Sequence, residues 1–187
     1  MKTKENLEKI LPKIKTKEFM ENRGLGNELG FYIFDYPPED ELFIRDYIKY
    51  IFKQLSMAEA DIKPVEIDLY KIMLEILKSK KIFDKVIPME KAKGDKELKK
   101  ALYPVLKPEN FLKFIKEKIE GHNLIFLTGV GRVWPLVRSH TILNILHSVL
   151  DKIPVIMFFP GKYNQIELQL FGKFRDDNYY RAFELIE

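Results

Sequence analysis

The stretch FLTGVGRVWPLVRSHTIL, Phe126–Leu143, decides how the rest of the chain is read. An apolar run ends in a glycine-flanked turn, and a helical pattern follows. Phosphate-binding loops are built this way, between a strand and a helix start. A P-loop, however, needs G-x-x-x-x-G-K-[ST], with the lysine on the phosphates and the hydroxyl on magnesium. Here Gly129 and Gly131 are followed by Arg132, Val133 and Trp134, and no Lys-Ser or Lys-Thr pair follows. The run G-V-G-R-V-W also lacks the third glycine of a dinucleotide fingerprint. The two glycines can still present amides to an anion, although Pro135 removes one amide at the following helix start. Gly129, Gly131 and Arg132 are therefore candidate anion-binding residues, and a tight structural turn is the competing reading.

Outward from this stretch the chain alternates between apolar runs and amphipathic helices. Upstream, FYIFDY (Phe31–Tyr36) reads as a short buried strand, aromatic and β-branched with no polar alternation. Pro37, Pro38 and acidic residues suit the first turn of a helix carrying Leu42, Ile44, Ile48, Ile51, Phe52 and Leu55 at helical spacing. PVEIDLYKIMLEILKS reads as a strand passing directly into a helix, because the period changes from two to about 3.6 near Leu69. PENFLKFIKEKIEG is a helix opened by Pro108 and ended by Gly121. NLIFLTG is a second apolar strand, PLVRSHTILNILHSVL is a helix with Pro135 near its start, and IPVIMFFPG is a third strand. IELQLFG alternates as an edge strand does, and YYRAFELI reads as a closing strand. This order predicts an α/β fold, a mostly parallel central sheet flanked by helices, with an antiparallel edge near the C-terminus.

The chain has 187 residues, which fits a single domain, 1–187, with residues 1–30 as an N-terminal helix and loop appended. Leu7, Ile10, Leu11 and Ile14 lie on one side of that helix. Hydrophobic residues are 46% and aromatics 13%, a globular composition. There is no cysteine, which excludes disulfides, thiolate metal sites and cysteine nucleophiles. No segment reaches the roughly 18 uninterrupted apolar residues of a membrane span, and the basic N-terminus lacks the apolar stretch of a signal peptide. A cytoplasmic location without membrane contact is expected. The net charge of +4 permits contact with nucleic acid without requiring it. The densest basic run, KAKGDKELKK (Lys91–Lys100), reads as a solvated surface segment.

Other side chains in and around these elements invite chemistry. Arg138 can hold a carboxylate or phosphate bidentately. His140 and His147 share a helical face with Leu136, Leu143 and Leu150, and two imidazoles alone make a poor metal site. Arg138 and His140 are expected to anchor the loop to the sheet edge, or else to join the anion site. Asp35 and Asp68 end the first two strands, where carboxylates act as helix caps or, less often, as bases and metal ligands. Ser139 lacks a G-x-S-x-G setting, so a nucleophile elbow is not supported. No residue set completes a catalytic centre, and no metal or cofactor is called for.

Six segments in order, FYIFDYPPEDE, VEIDLYKIMLEILK, FLTGVGRVWPLVRSHTILNILH, PVIMFFPGKYN, LQLFG and NYYRAFELI, resemble the BrxB family of BREX (bacteriophage exclusion) systems. The strongest parts are G-V-G-x-x-x-P-x-x-R-S-H, P-G-x-Y and N-Y-Y-R-A-F, and the resemblance runs from about Phe31 to the C-terminus. The chain departs from the family in the turn after P-G-K-Y. There a glycine is usual, as in Y-x-G, and this chain has Asn164-Gln165-Ile166. The resemblance implies a non-catalytic component of a multi-protein defence complex that modifies host DNA and blocks phage replication. The expected neighbours are a PglZ-type phosphatase-domain protein, a DNA methyltransferase and a large ATPase, with DNA contacted, if at all, through the complex. Tyr163, Tyr179, Tyr180 and Arg181 are candidate partner-binding residues, because tyrosine and arginine are enriched at interface hot spots. Two alternatives stay open: a degenerate nucleotide- or nucleic-acid-binding domain using Arg132, Arg138 and the lysines, and a cryptic hydrolase or nuclease built on Asp35, Asp68 and His140.

Overall fold

A computed structural model of the chain describes residues 2–22, 30–58, 61–147, 150, 153–176 and 182–186. In chain order these form α1 (Lys2–Ile14), α2 (Lys17–Met20), β1 (Phe31–Tyr36), α3 (Glu41–Ala58), β2 (Pro64–Asp68), α4 (Leu69–Ser79), α5 (Val86–Leu102) and α6 (Pro108–Ile119). There follow β3 (Leu124–Thr128), α7 (Val130–Val133), α8 (Ser139–His147), β4 (Val155–Tyr163), β5 (Leu168–Leu170), β6 (Phe174–Asp176) and β7 (Phe183–Glu184).

The sheet runs β2-β3-β4-β1-β7, and each neighbouring pair along that path is parallel. The chain leaves β1, crosses past β4 and β3 by way of α3, and enters at the far edge as β2. It then works back through β3 to β4. Beyond Pro160 the central strand β4 outruns its parallel partners and forms an antiparallel ribbon with β5 and β6. The expected α/β architecture, parallel at the centre and antiparallel near the C-terminus, is what the chain adopts.

Two apolar layers follow from the period of two along each strand. Phe31, Ile33, Ile67, Ile125, Leu127, Val155, Met157 and Phe159 face one layer, which α4, α5, α6 and α8 cover. Tyr32, Phe34, Leu124, Phe126, Ile156 and Phe158 face the other, covered by α1, α2 and α3. Residues buried on both faces need no polar alternation, which explains why β3 and β4 read as continuous apolar runs. Leu7, Ile10 and Ile14 of α1 are fully buried within the second layer.

Two elements differ from expectation. The helix expected from Pro135 starts four residues later, at Ser139, and α7 comes before it, directly after Gly129. Proline disfavours a helical residue before it, and Trp134 accordingly sits extended, at φ −68° and ψ 139°, separating α7 from α8. The closing strand is shorter than YYRAFELI: Phe183 and Glu184 pair with Tyr32 and Ile33 of β1. Tyr179, Tyr180 and Arg181 lie outside the described residues.

The turn in which the chain departs from the Y-x-G pattern has a clear local solution. Asn164 Oδ1 accepts the amides of Ile166 (3.1 Å) and Glu167 (2.8 Å), an Asx turn. Gln165, at the position where glycine is usual, takes a left-handed φ of 68°.

Candidate functional site

In open parallel sheets, ligands bind beyond the carboxyl ends of the strands. Here that edge carries Tyr36 at the end of β1, Asp68 at the end of β2, and Gly129 just after β3. Gly129 has φ 75°. This left-handed geometry turns β3 into α7 at once and aims Arg132 back across the strand ends.

Arg132 Nη2 donates to Asp68 Oδ2 at 2.8 Å, and its guanidinium lies 5.4 Å from the centre of the Tyr70 ring. On its other side, Nε faces Glu41 Oε1 across 4.0 Å; this nitrogen is buried and makes no hydrogen bond among the described residues. Asp68, 5% exposed, is fully engaged. Its Oδ1 accepts the amides of Tyr70 (3.0 Å) and Lys71 (3.3 Å), which makes it the N-cap of α4, as its place at a strand-to-helix junction suggested. Glu41 in turn accepts the hydroxyl proton of Tyr36. Burial, the Glu41 charge and this hydrogen bond together push the Tyr36 phenol well above its ordinary pKa, with Arg132 and Arg45 pulling the other way. The result is a closed chain, Tyr36–Glu41–Arg132–Asp68, that ties β1, α3, β2 and α7 together.

Gly131 has a packing role. A Cβ there would come within 2.8 Å of the Phe171 ring and 2.9 Å of Pro160. Phe171 belongs to the turn between β5 and β6, and Trp134 stacks on Phe174, ring centres 4.2 Å apart. The antiparallel ribbon therefore lies over the loop. Gly129, Gly131 and Arg132 are brought together by the fold, but around protein groups: Arg132 is held by two carboxylates.

Arg138 and His140 are elsewhere. Arg138 is exposed, so it does not anchor the loop to the sheet edge as expected. It and the half-buried His140 line a cavity of about 600 Å3 between the end of α5 and the starts of α6 and α8, together with Lys99, Tyr103 and Lys107. Asp35 is not a helix cap; its Oδ2 accepts the Tyr163 amide at 3.0 Å, fastening β4 to β1. Asp35, Asp68 and His140 thus have three separate surroundings, and no group of three or more His, Cys, Asp or Glu side chains suited to a metal forms among the described residues. Tyr163, expected to face a partner, is 6% exposed and donates its hydroxyl to the Ala182 carbonyl at 2.7 Å. It is a core residue because its position on β4 faces the layer under the C-terminal segment. Among the described residues no helix is long and apolar enough to cross a membrane.

Comparison with known proteins decides the lineage. A family profile described as BREX protein BrxB matches residues 65–185. A BREX protein BrxB of Bacillus cereus (strain H3081.97) is 47% identical over 98% of this chain and 97% of its own length. Another BREX protein BrxB, from Escherichia coli O9:H4 (strain HS), is 36% identical over 96% of this chain and 90% of its own. The chain belongs to the BrxB family. It is accordingly a component of a BREX phage-defence system, as the resemblance of its motifs implied. The BrxB match takes in Asp68, Gly129, Arg132 and the cavity around Arg138. No solved structure matches the chain.

Sequence reasoning missed Glu41 as a partner of Arg132, and Tyr36 as the partner of Glu41. It also placed Leu42 with the core, whereas Leu42 is 70% exposed. The neighbouring exposed positions, Phe43, Tyr50 and Met57, recur at a spacing of seven, a signal that was present but lay outside the face read as core.

Proposed function

We propose that this chain is a non-catalytic interaction subunit of a BREX complex, docking another BREX protein through the outer face of α3. The PglZ-type phosphatase-domain protein is the first candidate partner. The observation that carries this reading is an apolar stripe along α3. Phe43 is 40% exposed, Tyr50 47% and Met57 75%, with Leu42 beside them. Tyr47 joins the stripe: its ring lies 6.3 Å from Phe43 and 5.3 Å from Tyr50, centre to centre. Positions 43, 47, 50 and 57 follow the four-then-three spacing of one helix face. Scattered apolar side chains are ordinary on a surface, whereas a contiguous aromatic row is the kind of patch that marks an interface. Tyrosine is also among the commonest hot-spot residues. The non-catalytic half of the reading is supported by the state of Arg132. The cation best placed to act at the strand ends already faces Asp68 and Glu41.

The test is a binding titration of the Tyr50→Ala/Met57→Glu variant against each BREX subunit, with folding checked by circular dichroism. Loss of a hot spot is expected to weaken one partner about thirtyfold, on the order of 2 kcal/mol. A folded variant that binds every subunit as tightly as the parent removes α3 as the docking face. Saturable ATP turnover by the purified chain, abolished by Arg132→Ala, would overturn the non-catalytic reading.

A further inference from the structure

The cavity between α5, α6 and α8 is lined by an excess of cations over carboxylates. Four lysines elsewhere face carboxylates: Lys49 with Asp46, Lys71 with Asp68, Lys100 with Glu97 and Lys118 with Glu75. Lys99, Lys107 and Arg138 line the cavity and make no ion pair among the described residues. Glu109 is the single carboxylate in the lining, so Lys99, Lys107 and Arg138 leave an excess of positive charge. The larger cavity beside α1, about 830 Å3, is the opposite case: Asp35, Glu5, Glu39 and Glu184 outnumber Lys9 and Lys162 there. Unpaired cations gathered around one concavity raise the local concentration of anions. Arg138 adds a planar fork suited to phosphate.

The remaining lining specifies more than charge. Tyr103 sits between Lys99 and Lys107 in sequence, and its side chain is 73% exposed at the rim of the cavity. Leu106, Pro108, Pro135 and Leu136 provide apolar wall. A flat ring with a phosphate attached satisfies both halves at once: the ring stacks on the tyrosine and apolar wall, and the phosphate meets the cations. A volume of about 600 Å3 lies within the usual range for small-ligand sites, roughly 300–1,000 Å3. From these observations we infer that the cavity is a binding site for a nucleotide unit, its phosphate held by Lys99, Lys107 and Arg138 and its base stacked on Tyr103. The site stands apart from the α3 face and does not depend on the docking role proposed for it.

A nucleotide unit can come from a free nucleotide or from a single strand of nucleic acid, and fluorescence anisotropy separates the two. The probe is a fluorescein-labelled oligo-dT of about twelve nucleotides, with unlabelled dAMP and inorganic phosphate as competitors. Three phosphate contacts predict a log–log salt slope of about −2, roughly 0.7 per contact on a single strand. The Lys107→Glu/Arg138→Glu variant is expected to bind at least tenfold more weakly, and Tyr103→Ala about fivefold or more. A Lys49→Glu/Lys53→Glu control on α3 should change affinity less than threefold. Effective competition by dAMP assigns the site to free nucleotides, and its failure assigns the site to a strand; either supports the inference. Where charge reversal disturbs folding, Lys107→Gln/Arg138→Gln replaces it. The inference is overturned by absence of salt-sensitive binding, by equal weakening in the control, by Tyr103→Ala binding at parental strength, or by phosphate competing as well as dAMP.

Discussion

Replacing Gly129 by alanine tests whether the turn after β3 is shaped by packing against its own neighbours. Two terms contribute. An L-residue in the left-handed region costs about 1–2 kcal/mol. In addition, a Cβ at Gly129 would sit 2.6 Å from Asp68 Oδ1 and 3.2 Å from Arg132 Nη2. Asp68 must then give way, and it is the cap of α4; losing a cap costs about 0.5–2 kcal/mol. The expected total is roughly 1.5–4 kcal/mol. For a chain of this size each kcal/mol lowers Tm by about 2–4 °C. Gly121 supplies the internal control: its φ is 78°, and nothing lies within 4 Å of a Cβ built there. Gly121→Ala therefore carries the first term alone. Calorimetry should find Gly129→Ala less stable than Gly121→Ala by about 0.5–2 kcal/mol. In an Asp68→Ala background the difference should shrink, because the closest clashing atom is gone while Arg132 Nη2 and the Tyr70 amide nitrogen stay 3.2 Å from the Cβ, and such non-additivity is the mark of two residues in contact. Equal Tm values for the two glycine variants, or strict additivity with Asp68→Ala, would refute the reasoning.

Two further outcomes follow from single side chains. Tyr36 has a raised pKa in the folded protein, so the unfolded chain ionises first, near pH 10, and stability present below that pH is lost as pH rises. Tyr36→Phe should cost about 1 kcal/mol at neutral pH through its lost hydrogen bond. Above pH 10 its stability should fall by about 1.4 kcal/mol less per pH unit than the parent's; parallel alkaline limbs in urea titrations at several pH values would contradict this. Gln165→Gly should relieve a left-handed φ worth about 1–2 kcal/mol and return about 0.4–1 kcal/mol to the unfolded chain's entropy. The net gain of about 0–1.6 kcal/mol predicts a Tm rise of up to roughly 6 °C, and a fall would show that the Gln165 side chain contributes contacts outweighing the strain.

The fold was legible wherever burial imposes a simple pattern. FYIFDY, NLIFLTG and IPVIMFFPG are largely apolar without polar alternation because each strand is covered on both faces. Asp68 could be read as a cap because it stands where a period of two becomes a period of 3.6. Elements outside that logic were less legible. The alternation in IELQLFG announced an edge strand, which is β5, but β6 is only three residues long and carried no pattern of its own. The outer stripe of α3 was passed over because the reading followed the six apolar positions taken as core, although Leu42 among them faces solvent.

The candidate site shows the same division between local and long-range information. The opening stretch resembles a phosphate loop because it places two glycines and an arginine between a strand and a helical pattern. Each of these features has a partner far away in sequence. Gly129 is small because Asp68 crowds it, and Gly131 because Phe171 and Pro160 do. Arg132 is basic where Asp68 and Glu41 converge on it. Those partners lie on β2, α3, β4 and the turn between β5 and β6, so no spacing rule within the loop could have named them. The closure also has a topological cause. β4 is the central strand, and it continues past its parallel neighbours into an antiparallel ribbon. The ribbon folds over the loop after β3, while the ends of β1 and β4 still border the cavity of about 830 Å3 beside α1. A loop that is anion-binding by local composition is thereby converted into a structural joint. Three cations without an ion pair among the described residues, Lys99, Lys107 and Arg138, line a separate cavity formed by helix ends. Local sequence thus identified the kinds of groups available, and the long-range topology decided which of them would be neutralised inside the protein.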